Sequence, residues 1–167
     1  MDYTHRWESP LGRITLGSDG ERLIGLWFEG QAHFGAGLHA AHVEKSLPVF
    51  DEAERWLECF FQGRDPGFTP PVSPRGTDFQ QRVWNALLEI PFGRTLTYGD
   101  IAARLHTSAR AVGNAIARNP IALIIPCHRV MGAGGRLTGY AGGLERKVRL
   151  LALERGEQAG REWERHS

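Results

Sequence analysis

A chain of 167 residues with 41% apolar content is long enough to bury a real core, as one domain or two small ones. Its formal net charge of +1 says little about partners, and two cysteines 68 positions apart exclude both a disulfide framework and a Cys-x-x-Cys metal pair. The opening run, Met1 to Trp7, lacks the apolar core of a signal peptide, and no stretch approaches membrane-spanning length, so the expectation is a soluble, cytoplasmic protein in a reducing compartment. Charge is unevenly placed. Residues 1–76 carry 7 Lys and Arg against 11 Asp and Glu, residues 77–156 carry 11 against 5, and residues 157–167 carry 2 against 3. The basic segment suits a phosphate-facing surface, although a solvated positive face reads the same way.

In chain order, residues 3–7, 13–16 and 23–28 are short β-rich runs separated by Ser9-Pro10-Leu11-Gly12 and Ser18-Asp19-Gly20, which is turn chemistry. They predict a three-stranded antiparallel sheet. Residues 30–47 have no clear periodicity and predict a loop or ragged helix. This segment holds His33, His39 and His42, which with Cys59 offer zinc-ligating atoms at irregular spacing, so no metal site is expected. Phe50, Ala53, Leu57, Phe60 and Phe61 fall at helical spacing and predict a helix over 49–62, with Cys59 off its apolar stripe. Four prolines in residues 65–76 then mark a linker. The first lobe is therefore 1–64, α/β and structural in role. The second spans 77–156, and 157–167 is a tail.

The second lobe is mostly helical. Thr77 to Gln80 forms a capping box ahead of a stripe of Phe79, Val83, Leu87 and Ile90, and Pro91-Phe92-Gly93 stops that helix. Thr97-Tyr98-Gly99-Asp100 caps a short helix to Leu105, and Ser108 caps another from Ala109 to about Arg118, closed by Asn119-Pro120. Two short helices joined by a tight turn in a basic segment suggest a helix-turn-helix, although most such pairs are simply core. Ala109, Ala111, Gly113, Ala115 and Ala117 are small while Arg110 and Arg118 are long, which allows close approach to a packed helix or to a nucleic-acid groove. Leu123 to Ile125 is a short apolar run that delivers Pro126-Cys127-His128 to the interior, and Leu144, Val148 and Leu151 form the stripe of a last helix. Cys127 beside His128 is a candidate activated nucleophile, because an imidazole is the commonest means of removing a thiol proton; a small buried cysteine is the alternative.

The run Arg110-Ala111-Val112-Gly113, then Asn119-Pro120, then Ile124-Ile125-Pro126-Cys127-His128-Arg129-Val130, then Gly139-Tyr140-Ala141-Gly142-Gly143, resembles the O6-alkylguanine-DNA alkyltransferase family. The Pro-Cys-His-Arg-Val string is that family's active-site signature, and the resemblance runs from about Gly76 to Glu154 and more loosely over the N-terminal part. It implies a single-turnover enzyme that moves an alkyl group from O6 of guanine in double-stranded DNA to Cys127, without cofactor. O6-methylguanine is the implied main substrate, with O4-alkylthymine a further one. By the same resemblance His128 and Glu154 complete a Cys-water-His-acid relay, where residues alone would make Glu154 a helix-end surface carboxylate. Asn119 ties down the turn before the nucleophile, where its bare reading is a helix stop. Tyr98 hydrogen-bonds the guanine, where its bare reading is the edge of a core aromatic.

The resemblance also places the second short helix in the minor groove. Arg110 fills the gap left by the flipped nucleotide, and Tyr98, Ala111, Gly113, Arg118 and Arg129 contact DNA. Tyr140, Gly142, Gly143 and Pro126 wall the alkyl pocket, with the glycines admitting the base closely. Flipping is required because a thiol cannot reach the O6 substituent in line while guanine is stacked. The chain departs from the family pattern in being two residues shorter between Tyr98 and Arg110, which implies a tighter or re-angled turn. A monomer is implied, with cooperative assembly along DNA as a further property, and a nuclear location in a eukaryote. Two rivals remain: a damage reader, although relatives of that kind replace the cysteine, and a thiol hydrolase acting on a small substrate.

Overall fold

In the computed structural model, which describes residues 1–157, the two turn signals fold the N-terminal segment into a meander of β1 (Asp2–Ser9), β2 (Gly12–Ser18) and β3 (Leu23–Phe28). Both pairings are antiparallel, with Tyr3 opposite Ser18 and Ile14 opposite Phe28. Gly12 turns the first hairpin at φ 111°, a conformation costly for a side chain. The expected loop over 30–47 contains one more strand: β4 (His42–Glu44) pairs parallel with β1, giving the order β3-β2-β1-β4. All three of its residues are exposed, so no hydrophobic pattern announces it. It forms because the edge of β1 would otherwise leave backbone groups unpaired.

Helix α1 (Pro48–Phe61) buries Val49, Phe50, Ala53, Trp56, Leu57 and Phe60, and these share a core with Ile14, Leu16, Leu26 and Phe28 of the sheet. Phe61 is half-buried against that core, and Cys59 lies outside it. The proline-rich linker runs extended and is held at its end by Arg75, whose guanidinium donates to both carboxylate oxygens of the buried Asp2 at 2.7 and 3.0 Å.

The edge of β3 is what brings the two halves together. Leu23 exchanges backbone hydrogen bonds with Pro71 and Ser73 of the linker, and Leu26 does so with Pro120 and Ala122, at 2.7 to 3.1 Å. An otherwise free sheet edge is thereby closed, and the segment leading to Cys127 is anchored on it.

The second half is helical as its caps predict. Helix α2 (Asp78–Leu88) carries the Thr77/Gln80 capping box and buries Val83, Trp84 and Leu87. A two-residue strand, β5 (Leu96–Thr97), leads through a second box, Thr97/Asp100, into α3 (Tyr98–Leu105). His106 ends α3 in the left-handed region at φ 55°, and Ser108 caps α4 (Ala109–Ala117) through Ala111 N–H at 3.1 Å. A three-residue turn, His106 to Ser108, thus joins the two helices without a glycine. After the turn at Cys127, β6 (Val130–Met131) pairs parallel with β5, and α5 (Leu144–Glu154) is the last helix among the described residues.

The inner face of α5 differs from the expected stripe. Leu144 and Val148 are 48% and 42% exposed, while Lys147, Leu150, Leu151 and Glu154 face inward. Those four are at proper helical spacing, but two of them are charged, so an apolar stripe drawn from the sequence rotates the helix the wrong way. The expected tail, residues 157–167, lies outside the described residues apart from Glu157.

Candidate active site

The turn that carries Cys127 is built by Asn119. Its side-chain oxygen accepts from Ile121 N–H at 3.0 Å, and its amide donates to Ile125 C=O at 2.9 Å, so one residue clamps both ends of the intervening loop. Leu123 sits inside that loop at φ 69°, a left-handed conformation rare for leucine and held here by burial and by the clamp. Ile121 to Pro126 are all buried, and Cys127 to Arg129 form a single 3-10 turn on the far side.

Behind the thiol lies a buried, hydrogen-bonded group of His128, Arg129 and Glu154. His128 Nε2 donates to Glu154 Oε2 at 2.5 Å, while His128 Nδ1 is buried with no hydrogen-bond partner among the described residues. Glu154 also accepts from Arg129 Nε at 2.8 and 3.1 Å and from Gly93 N–H at 3.0 Å. Burial pushes the carboxylate toward its neutral form, but His128 and Arg129 outweigh it and hold Glu154 down at about 2. Burial lowers His128 in spite of Glu154, so the resting imidazole is neutral, with Nδ1 free to accept a proton. The Cys127 thiol is raised by burial, against the opposing influence of the Asn119 side chain, Lys147 and Tyr140. A base must therefore act before this sulfur becomes a nucleophile.

One expectation changes here, and one buried residue had no expectation attached to it. Arg129, expected to contact DNA, is buried: besides its hold on Glu154, its Nη1 donates to Ile90 C=O at 2.7 Å, and its guanidinium lies over Phe92. Its charge is spent inward, on a buried carboxylate that needs a counter-ion. Lys147 was missed altogether. It is fully buried, and its ammonium donates to Val130 C=O at 2.7 Å and Thr138 C=O at 3.4 Å, joining the exit of the cysteine turn to the loop that carries Tyr140. The signal was available as helical spacing with Leu150, Leu151 and Glu154, but a lysine reads as surface by default.

In front of the thiol is a cleft of about 380 Å³ lined by Tyr98, Gly113, Ile116, Ala117, Cys127, Gly139, Tyr140 and, from the N-terminal lobe, Ala32 and His33. Tyr98 stands at the start of α3, its hydroxyl accepting from Thr138 at 3.0 Å. The Tyr140 hydroxyl is buried without a partner among the described residues. Gly142 lets the Tyr140 ring lie against the backbone, since a Cβ there would come within 2.6 Å of it, and Gly143 takes φ 95° to start α5. Arg146 fixes this glycine loop to the first lobe, donating to Gly142, Leu11 and Glu29 carbonyls and stacking on Phe28. Pro126 is buried behind the thiol and faces the opposite side of the turn, with Ile90 and Phe92.

Helix α4 packs inward through Val112, Ala115 and Ile116, and Trp84 donates to Ala115 C=O at 2.9 Å. Its small residues Ala109, Ala111, Gly113 and Ala117 therefore point outward or to the cleft, with exposed Arg110 at one end and Arg118 at the other. Tight helix packing does not account for them. Among the described residues, no group of three or more His, Cys, Asp or Glu is placed to hold a metal ion.

This arrangement can be set beside known proteins. Residues 78–156 match the DNA binding domain of 6-O-methylguanine DNA methyltransferase, and residues 3–74 match its ribonuclease-like domain. The chain belongs to the 6-O-methylguanine DNA methyltransferase family. Methylated-DNA--protein-cysteine methyltransferase of Methanosarcina acetivorans is 48% identical over 89% of this chain and 95% of its own length; that of Haemophilus influenzae is 43% identical over 92% and 86%. The crystal structure of Mycobacterium tuberculosis OGT in complex with DNA superposes with a TM-score of 0.84 at 42% identity, covering 94% of this chain and 96% of that one. Within this methyltransferase family fold, the geometry brings Cys127, His128, Glu154 and Asn119 to one turn. Tyr98, Gly113 and Tyr140 meet at its cleft, and Arg110, Ala111 and Arg118 share the outer face of α4.

Proposed function

We propose that this chain repairs alkylated DNA directly, by moving the alkyl group of O6-alkylguanine irreversibly to Cys127. The observation that carries the reading is a thiol 5% exposed at the floor of a nucleotide-sized cleft, backed by a histidine that Glu154 orients. A thiol so placed cannot reach a stacked base, so the nucleotide must enter the cleft. Arg110 fills the gap it leaves, and α4 offers Ala111 and Gly113 to the minor groove.

His128 Nδ1 takes the Cys127 proton through a bridging water, and the imidazolium is stabilised by Glu154. The thiolate displaces the alkyl carbon in line: a C–S bond forms, the C–O6 bond breaks, and its electron pair stays on guanine. The Tyr98 phenol, held by Thr138, offsets the charge that grows on the base. Proton return from His128 restores neutral guanine and leaves a thioether. Sulfur supplies the electron pair, so no cofactor enters, and nothing in the sequence reverses the thioether. O6-methylguanine is the main substrate. The protein works as a monomer wherever the genome is, in the cytoplasm of a prokaryote or the nucleus of a eukaryote. The first lobe, residues 1–64, is joined through the linker 65–76 to the reacting lobe, 77–156.

A duplex carrying one radiolabelled O6-methylguanine tests this with wild type and Cys127→Ala. One label per protein molecule in wild type and none in the variant is the expected result. Many turnovers would instead make the protein a hydrolase, and tight lesion binding without transfer would make it a reader of damage.

A further inference from the structure

The loop after β3 reaches over the cleft from the first lobe. Ala32 N–H donates to Ala141 C=O at 3.0 Å, which pins this loop to the wall that carries Tyr140. Next to it, His33 lines the cysteine cleft and also the neighbouring groove formed by Thr77, Gln80, Ala111, Asn114 and Arg118 on the α4 side. His33 holds φ 57°, a left-handed conformation that costs energy for a residue with a Cβ, and Ala36 N–H closes the turn onto its carbonyl at 3.0 Å.

Arg118 Nη1 donates to His33 Nδ1 at 3.4 Å. Both side chains are exposed, and neither has a carboxylate partner among the described residues. With Nδ1 accepting, Nε2 carries the ring proton, so the pair offers outward donors only: Nε2–H of His33 and the remaining N–H groups of Arg118. Donors without acceptors, on the ridge between two hollows, suit an anion rather than a neutral base edge.

We propose that His33 and Arg118 form a phosphate clamp that holds the DNA backbone beside the flipped nucleotide, so that the first lobe takes part in DNA binding as well as bracing the second. This rests on the DNA-repair reading above. The position is what that reading requires: a strand whose nucleotide enters the cleft while its neighbours lie on α4 must cross the ridge where these two residues stand. Ala111 and Ala117 beside it leave the backbone room to approach.

The test uses the full chain carrying Cys127→Ser, so that no transfer occurs, with a fluorescent duplex containing O6-methylguanine, and binding is followed by anisotropy across a salt series. His33→Ala and Arg118→Ala should each weaken binding about tenfold, as loss of a charge-assisted hydrogen bond does. The double variant should lose less than the product, and Arg118→Ala should lower the salt slope by about one. His33→Gly, which accepts the left-handed backbone, should bind as poorly as His33→Ala. Affinity within about twofold of the parent for His33→Ala, full recovery with His33→Gly, or losses that simply multiply would overturn the clamp. Label transfer by the Cys127 protein is measured alongside. Transfer intact with His33 silent removes the clamp alone, whereas absence of transfer removes the repair reading itself.

Discussion

The two sides of the Cys127 turn treat charge in opposite ways. On the inner side every charged group is committed: Glu154 to His128, Arg129 and Gly93, Arg129 to Ile90, and Lys147 to Val130 and Thr138. On the outer side, Arg110 and Arg118 stand exposed at the two ends of a helix surface made of small residues, without a carboxylate partner among the described residues. The difference follows from what each side must do. Proton removal from a buried thiol needs fixed dipoles and no reorganisation, whereas a duplex brings its own negative charge and needs unspent cations to meet it.

The largest break in this comparison is made from the inner side. Glu154→Gln keeps the shape of the side chain and its oxygen acceptor for His128, but strands the Arg129 guanidinium in the interior. Removing one partner of a buried pair costs about 3 kcal/mol or more, which urea unfolding measures. The methyl-transfer rate should fall about 100-fold, because the imidazolium that forms with the thiolate loses its counter-charge. A variant that unfolds like wild type and transfers at full rate would remove Glu154 from the relay.

How far the sequence anticipates this molecule depends on whether a residue's task is local. The caps Thr77, Thr97 and Ser108 and the turn around Gly12 act within four residues, so their chemistry is readable in place, and the helices and the meander appear where they point. Cys127 and His128 are adjacent and stand out as a pair. What escaped reading depends on contacts across the fold. β4 has no apolar pattern and exists because β1 has a free edge. Lys147 and Arg129 are basic residues in a basic segment, and only the fold turns them inward, toward carbonyls and a carboxylate. His33 is about 85 positions from its partner Arg118, and its first suggestion was a metal ligand. The stripe on α5 failed for the same reason: the face that serves the site is partly charged.

The outer side should break differently. Arg110→Ala removes an exposed side chain with no packing role, so stability should stay within about 0.5 kcal/mol of wild type. If the guanidinium fills the gap behind a flipped nucleotide, its loss leaves unstacking uncompensated, and methyl transfer from duplex DNA should slow about tenfold or more. Transfer from free O6-methylguanine base, which needs no flipping, provides the contrast and should be unaffected. Equal slowing on both substrates would place Arg110 in the chemistry and erase the division between the two sides.

A third test moves to a charge pair far from the thiol, where commitment serves stability alone. Asp2 is 1% exposed, and its bond to Arg75 holds the carboxyl at about 2, below the ordinary 3.8. A depressed carboxylate stabilises the fold above its unfolded value, and that contribution drains away as pH falls from about 4 through about 2. The shift corresponds to about 2 kcal/mol at neutral pH. Asp2→Asn should therefore be less stable than wild type by about that amount at pH 6, with the gap between the two closing as the solution is acidified toward pH 2. Glu154 titrates over the same range in both proteins, so only the difference between them reports Asp2. A gap that stays constant from pH 6 to pH 2 would show that Asp2 holds the linker by shape and hydrogen bonding, with its charge contributing nothing. In that case the contrast between committed and free charge would apply to the active turn and not to the fold as a whole.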